Sequence, residues 1–137
     1  MSIVLDTNVL VSALRSRQGA SWQVLTLVRK GQVRMYVTVP LVLEYKDALL
    51  RHRHIPGWSR RETLGFVGVL VSKARHQTVY YRWRGHSDDP DDDHVLEAAV
   101  ASGVPYLITF NVKDFSAAHR FGIEVRSPGE FLHMINE

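Results

Sequence analysis

The stretch "SIVLDTNVLVSAL", residues 2–14, decides the fold class. Ser2-Ile3-Val4-Leu5 is a short apolar run, partly β-branched, that stops at Asp6. Such a run reads as a buried strand. From Asn8 to Leu14 the apolar residues recur at helical spacing, and Thr7 or Asn8 can cap the helix. A strand passes straight into a helix here, with a carboxylate at the junction.

The same alternation continues outward. Ser21 to Lys30 (SWQVLTLVRK) predicts an amphipathic helix capped near Ser21, basic in its last turn and stopped by Gly31. Val33 to Val39 predicts a second strand. Pro40 is placed to begin a helix over Leu41–Arg51. "HIPGWS" breaks the pattern, and Ser59 caps a further helix from Arg60 to Lys73. Gln77 to Trp83 alternates as a strand. A helix over Asp92–Ser102 ends at Gly103, and Tyr106–Thr109 follows as a buried strand. A turn or short helix at Lys113–Ala118, a strand at Ile123–Val125 and a Ser127-capped helix over Pro128–Ile135 complete the chain. Alternating strands and helices predict an α/β sandwich with a mainly parallel sheet, as one domain over residues 1–137. There is no internal repeat, low-complexity segment or linker.

Composition narrows the function. The chain has no cysteine, which excludes disulfides, thiolate metal sites and thiol nucleophiles. Its N-terminus lacks a basic region followed by a long apolar one, and no run of about 18 apolar residues exists. A cytoplasmic protein with no membrane span is the expectation. Net charge is +3. Basic residues gather at Arg51, Arg53, Arg60 and Arg61, and again at Lys73, Arg75, Arg82 and Arg84, while acids gather at 88–93. A basic surface beside an acidic focus suits a polyanion held near a metal, although solvated helix faces account for the basic residues equally well.

That acidic focus is "SDDPDDDHVLEAAV", residues 87–100, in which five of six consecutive residues are aspartates. Like charges this close repel unless a cation or water lies among them. In an open parallel sheet, ligands bind outside the carboxyl ends of the strands. Asp6 ends the first strand, and Asp114 lies just beyond the 106–109 strand. Asp93 sits at or near the first turn of a helix, where the macrodipole favours a carboxylate. Glu44 lies one turn into the helix after the second strand. Each has an ordinary alternative as a cap or a solvated helix residue, but together they can converge at one sheet edge. Oxygen ligands without Cys or a His pair point to Mg²⁺ or Mn²⁺ and away from Zn²⁺.

Other readings fail on single residues. A calcium loop begun at Asp89 would carry His94 where glycine is needed and Val100 where glutamate is needed. An Asp-x-Asp phosphatase would need an acid at Asn8, and a receiver domain an acidic pair after the first strand. There is no Gly-rich phosphate loop and no Gly-x-Ser-x-Gly elbow. His52 and His54 diverge on a helix, and His94, beside the acidic stretch, can contact substrate but reads more simply as an exposed loop residue. Trp58, Tyr80, Tyr81 and Trp83 lie near basic residues and can stack on bases or pack in the core.

Four segments, "IVLDTNVLVSAL", "PLVLEYKDAL", "DPDDDHVLEAAVASGVPYLIT" and "GIEVRSPGEFL", resemble in order the PIN-domain family. The similarity is to the toxin components of toxin–antitoxin systems, related to the VapC-like ribonucleases. The resemblance implies a three-layer α/β/α fold, a Mg²⁺- or Mn²⁺-dependent endoribonuclease site, an antitoxin partner and a homodimer. The matching acids are Asp6, Glu44, Asp93 and Asp114, as catalytic and metal-ligating residues. Asn8, Asp91 and Asp92 are supporting residues of the same motifs. Relatives carry an acid where this chain has Asn111, which leaves an uncharged ligand and a weaker second metal position.

The expected reaction is hydrolysis of an RNA phosphodiester at the acidic site, with Lys113, Arg51 and Arg53 holding the nucleic-acid backbone. The rival is a metal- or RNA-binding module with little or no turnover that acts through a protein partner. A DNA or flap nuclease would share the chemistry and differ in substrate. The apolar face of Leu64–Val71 (LGFVGVLV) is broad enough for a dimer contact, and core burial explains it as well.

Overall fold

In the computed structural model, residues 1–51, 55–79 and 93–137 are described. Among them, five strands form one sheet: β1 (Ser2–Leu5), β2 (Arg34–Val37), β3 (Arg75–His76), β4 (Tyr106–Ile108) and β5 (Glu124–Arg126). Their order is β3-β2-β1-β4-β5, and every pairing is parallel. Ile3 stands opposite Met35 on one side and Tyr106 on the other. Six helices flank the sheet: α1 (Thr7–Arg15), α2 (Ala20–Arg29), α3 (Val39–Arg51), α4 (Arg60–Lys73), α5 (Asp93–Ser102) and α6 (Pro128–Ile135). A 3-10 segment, Val112–Phe121, is kinked at Phe115. This is the three-layer α/β/α sandwich with a parallel sheet that the sequence predicts.

The centre of the sheet follows from composition. Ile3, Val4 and Leu5 are fully buried, as are Leu107 and Ile108. A parallel strand covered on both faces needs continuous apolar residues rather than alternation. Val95, Leu96, Ala98 and Ala99 of α5 join that core, together with Val9, Leu10 and Ala13 of α1. No described helix is long and apolar enough to cross a membrane.

Several element boundaries differ from the sequence reading, each for a local reason. Asp6 itself caps α1, with extended backbone and its side chain accepting from the Thr7 amide; Thr7 and Asn8 are already helical. The helix read from Ser21 begins at Ala20, with Gly19 as its cap and no side-chain cap bond. Ser21 is buried within its first turn. β2 ends at Val37, short of the predicted Val39, because the Thr38 hydroxyl accepts from the Leu41 amide and starts α3 early. The strand expected over Gln77–Trp83 pairs at Arg75–His76, since α4 ends at Lys73 and the chain meets β2 at once. The Gln77 amide extends that edge by one bond to the Val37 carbonyl; residues 80–83 lie outside the described residues. β5 is shifted by one, to Glu124–Arg126, after a turn in which Gly122 adopts φ 72. The turns at Ser59 and Ser127 form full capping boxes, as their sequences indicate.

The topology locates a crevice. From β1 the chain builds outward to β2 and β3, then crosses back to place β4 on the other side of β1. The strand order reverses between β1 and β4, and ligand sites in open parallel sheets form outside the carboxyl ends of such a pair. Asp6 follows β1, and Thr109 follows β4.

Candidate active site

Asp6 is held in place through both its backbone and its carboxylate. Its amide donates to the Ile108 carbonyl at 2.9 Å. Its Oδ1 accepts from the Thr7 amide at 2.7 Å, and its Oδ2 accepts from the Thr109 hydroxyl at 2.7 Å. Only 4% of the residue is exposed. A carboxylate this buried needs donors to stay charged, and a helix N-terminus and a hydroxyl provide them. Thr109 also accepts from the Asn111 amide at 3.0 Å, so one buried hydroxyl links Asp6 to the loop after β4.

Glu44 comes from α3. The helix is anchored to β1 by its neighbour Tyr45, which is fully buried and whose hydroxyl donates to the Leu5 carbonyl at 2.5 Å. Burial, and then the charges of Asp6 and Glu44, hold the Tyr45 hydroxyl well above its ordinary pKa of 10.0. Both carboxylates therefore act on one phenol. Glu44 Oε1 lies 2.6 Å from His94 Nδ1, on the second residue of α5. His94 is thus a half-buried helix residue with a carboxylate partner, where the sequence reading had an exposed loop residue.

Asp6, Thr7, Asn8, Glu44, Asp47, Ala48, Arg51 and Asn111 line one cleft of about 260 Å³. Of the sequence-derived candidates, the structure brings Asp6, Glu44, Asn8, Asn111 and Arg51 to this cleft. Asn8 Oδ1 accepts from the Phe110 amide at 3.5 Å, which ties the start of α1 to the loop after β4. Arg51 pairs with Asp47 at 3.4 Å, with both side chains largely exposed. Asp114 and Lys113 sit at the start of the 3-10 segment, and neither lines the cleft; the Asp114 amide donates to the Asn111 carbonyl. The backbone of Asp93 begins α5. Asp91, Asp92 and Arg53 lie outside the described residues.

Among the described residues, no group of three or more His, Asp or Glu side chains is close enough to hold a metal. The donor set of the cleft still suits a hard divalent ion. It offers carboxylate and amide oxygens from Asp6, Glu44, Asn8 and Asn111, and no sulfur.

Residues that pattern reading did not single out are Thr109, Tyr45 and Asp47. Thr109 ends an apolar strand and Tyr45 sits in a helical stripe, so both read as core. The available signal was that Thr109 is polar in an otherwise apolar run and that Tyr45 carries a hydroxyl in an apolar helical stripe. Trp58, a candidate for base stacking, packs edge-on against Phe66 and beside Trp22, with Arg17 over its ring. Tyr80, Tyr81 and Trp83 lie outside the described residues.

The fold and the cleft define a class of protein that the comparisons identify. Residues 2–113 match the family described as PIN domain. The chain belongs to the PIN-domain family. Among solved structures, VapBC2 from Rickettsia felis bound to a DNA fragment from its promoter is similar, with TM-score 0.63 and 13% identity. The alignment covers 93% of this chain and 98% of that one. FitAB bound to an IR36 DNA fragment is similar with TM-score 0.59 and 17% identity, covering 92% and 94% of the two chains. At these identities the likeness is one of fold. No curated protein matches the sequence at a significant level.

Proposed function

We propose that this chain is a divalent-metal-dependent endoribonuclease and the toxin of a toxin–antitoxin pair. The observation that carries the reading is the meeting of Asp6 and Glu44, distant in sequence, in one polar cleft at the sheet's switch point. Membership of the PIN-domain family, a family of nucleases, supports it. The likeness in fold to VapBC2 and FitAB supports a cognate antitoxin as partner.

In this reading Asp6, Glu44 and Asp93 would hold Mg²⁺ or Mn²⁺, with Asp91 or Asp92 sharing the role of Asp93 and Asp114, which does not line the cleft, left to hold a second ion. A bound ion supplies Lewis acidity for water activation and offsets charge on the phosphate oxygens. The protein's own contribution is placement. Thr7 and Thr109 fix the Asp6 carboxylate, and Asn8 and Asn111 add neutral oxygen donors at the cleft. Arg51 at the cleft and Lys113 beyond it, with Arg53, hold the flanking phosphates. The protein is expected to act in the cytoplasm. A homodimer is part of the proposal: Val69 of α4 is half exposed beside the buried Val67 and Leu70, which gives that helix an apolar outer edge.

Asn111 favours a second reading, a binding module without turnover, because its amide brings no charge to the cleft. The deciding experiment uses end-labelled single-stranded RNA and DNA, incubated with the purified protein in Mn²⁺, Mg²⁺ or EDTA. Cutting of RNA that EDTA abolishes supports the ribonuclease. Equal cutting of both strands points to a nuclease of wider substrate class. Mn²⁺ binding without cutting of either moves the assignment to the binding module.

A further inference from the structure

Glu44 has three side-chain torsions, so its contacts decide how its carboxylate points into the cleft. His94 supplies one. Its Nδ1 lies 2.6 Å from Glu44 Oε1, with the two side chains 25% and 24% exposed. A carboxylate oxygen only accepts, so Nδ1 carries the proton and donates. The distance is that of a charge-assisted bond.

We infer that His94 is a positioning residue that orients the Glu44 carboxylate for a divalent cation. The inference rests on the metal-dependent reading of the cleft. Carboxylates that ligate metals are themselves hydrogen-bonded, and losing such a partner weakens metal binding roughly ten- to a hundredfold. A plain helix-packing role for the pair is less well supported. α3 is already tied to the sheet by the buried bond from Tyr45 to the Leu5 carbonyl. α5 is seated by the fully buried Val95, Leu96, Ala98 and Ala99. Neither helix depends on His94 for its place. The contact instead joins the first turn of α5, where Asp93 begins the helix, to a residue that lines the cleft with Asp6.

The test is Mn²⁺ affinity, measured by calorimetry or electron paramagnetic resonance on the full chain, for wild type, His94→Leu and His94→Asn. Leucine keeps the bulk and removes the donor. Asparagine places an amide nitrogen at the same distance along the side chain as Nδ1. His94→Leu is expected to lose roughly ten- to a hundredfold in Mn²⁺ affinity. His94→Asn should recover most of that loss, and both should melt close to wild type. A role confined to packing would not produce recovery by asparagine. Should His94→Leu fail to fold, His94→Ala takes its place, with the same expected loss and the same recovery by asparagine. Wild-type affinity in folded His94→Leu, or equal losses in the two variants, overturns the inference and leaves the metal reading intact. Wild-type protein that binds no Mn²⁺ overturns both.

Discussion

Asp6 caps α1 with the same carboxylate that is proposed to hold the ion, and the two tasks can be separated by substitution. Asparagine caps a helix about as well as aspartate, whereas alanine costs about 1 kcal/mol at such a position. Asp6→Asn should therefore melt near wild type and Asp6→Ala below it. In the proposed reading both lose metal-dependent cleavage by roughly a hundredfold or more, because ion-mediated charge stabilisation is worth several kcal/mol. Thr109→Val removes the hydroxyl that serves Asp6 and Asn111 together. Urea denaturation should show a loss of about 1–3 kcal/mol for the two hydrogen bonds removed, one of them to a carboxylate. Tyr45 adds a pH test. Its folded-state pKa is raised, so its share of stability is complete below 10.0, the unfolded value, and is lost as pH rises towards the folded value. Thermal melts should fall above about pH 10, and fall less steeply in Tyr45→Phe. Asp6 could be picked from the sequence because an acid at a strand-to-helix junction is conspicuous, and Glu44 because it lies one turn into the helix after the second strand, in a segment that carries the family resemblance. Thr109 and Tyr45 could not, because their partners lie 103 and 40 residues away and only the folded chain joins them.

At the scale of elements, the clearest signals are local ones. Ser59 and Ser127 each precede a glutamate by three residues, and both form reciprocal caps with Glu62 and Glu130. Hydrogen bonds from the Ser59 side chain and backbone lower the pKa of Glu62; those from the Ser127 backbone and side chain lower that of Glu130. With folded values depressed, their contribution is present above 4.5 and disappears as pH falls through the lowered value. Ser59→Ala and Ser127→Ala should each cost about 1 kcal/mol near neutral pH in chemical denaturation, and the difference from wild type should shrink in acid. The start of α1 was harder to read, because Asp6, Thr7 and Asn8 are all good caps and only the backbone decides among them. β3 was placed too late for a similar reason. Its pairing spans two residues at a sheet edge, too few for alternation to register.

For the whole molecule, the order of strands and helices was enough to reach the parallel sandwich, since buried strands and capped helices alternate along the chain. The strand order itself, β3-β2-β1-β4-β5, was not readable, because parallel pairing is decided by crossovers and not by local pattern. That order puts Asp6 and Thr109 at one reversal point and makes a cleft from Asp6 just after β1, from α1 and α3, and from the loop after β4. If Arg51 and Lys113 hold phosphates, RNA affinity should fall linearly in log–log terms with salt, by about 0.7 per contacted phosphate, and Arg51→Ala should flatten that slope. The central claim is that the acidic cleft cuts RNA with a divalent ion. The most direct test compares wild type with Asp6→Asn, both shown to be folded, on end-labelled single-stranded RNA in Mn²⁺. Cutting by wild type that disappears in Asp6→Asn is the predicted result. Undiminished, Mn²⁺-dependent cutting by Asp6→Asn would contradict the account and place the chemistry elsewhere.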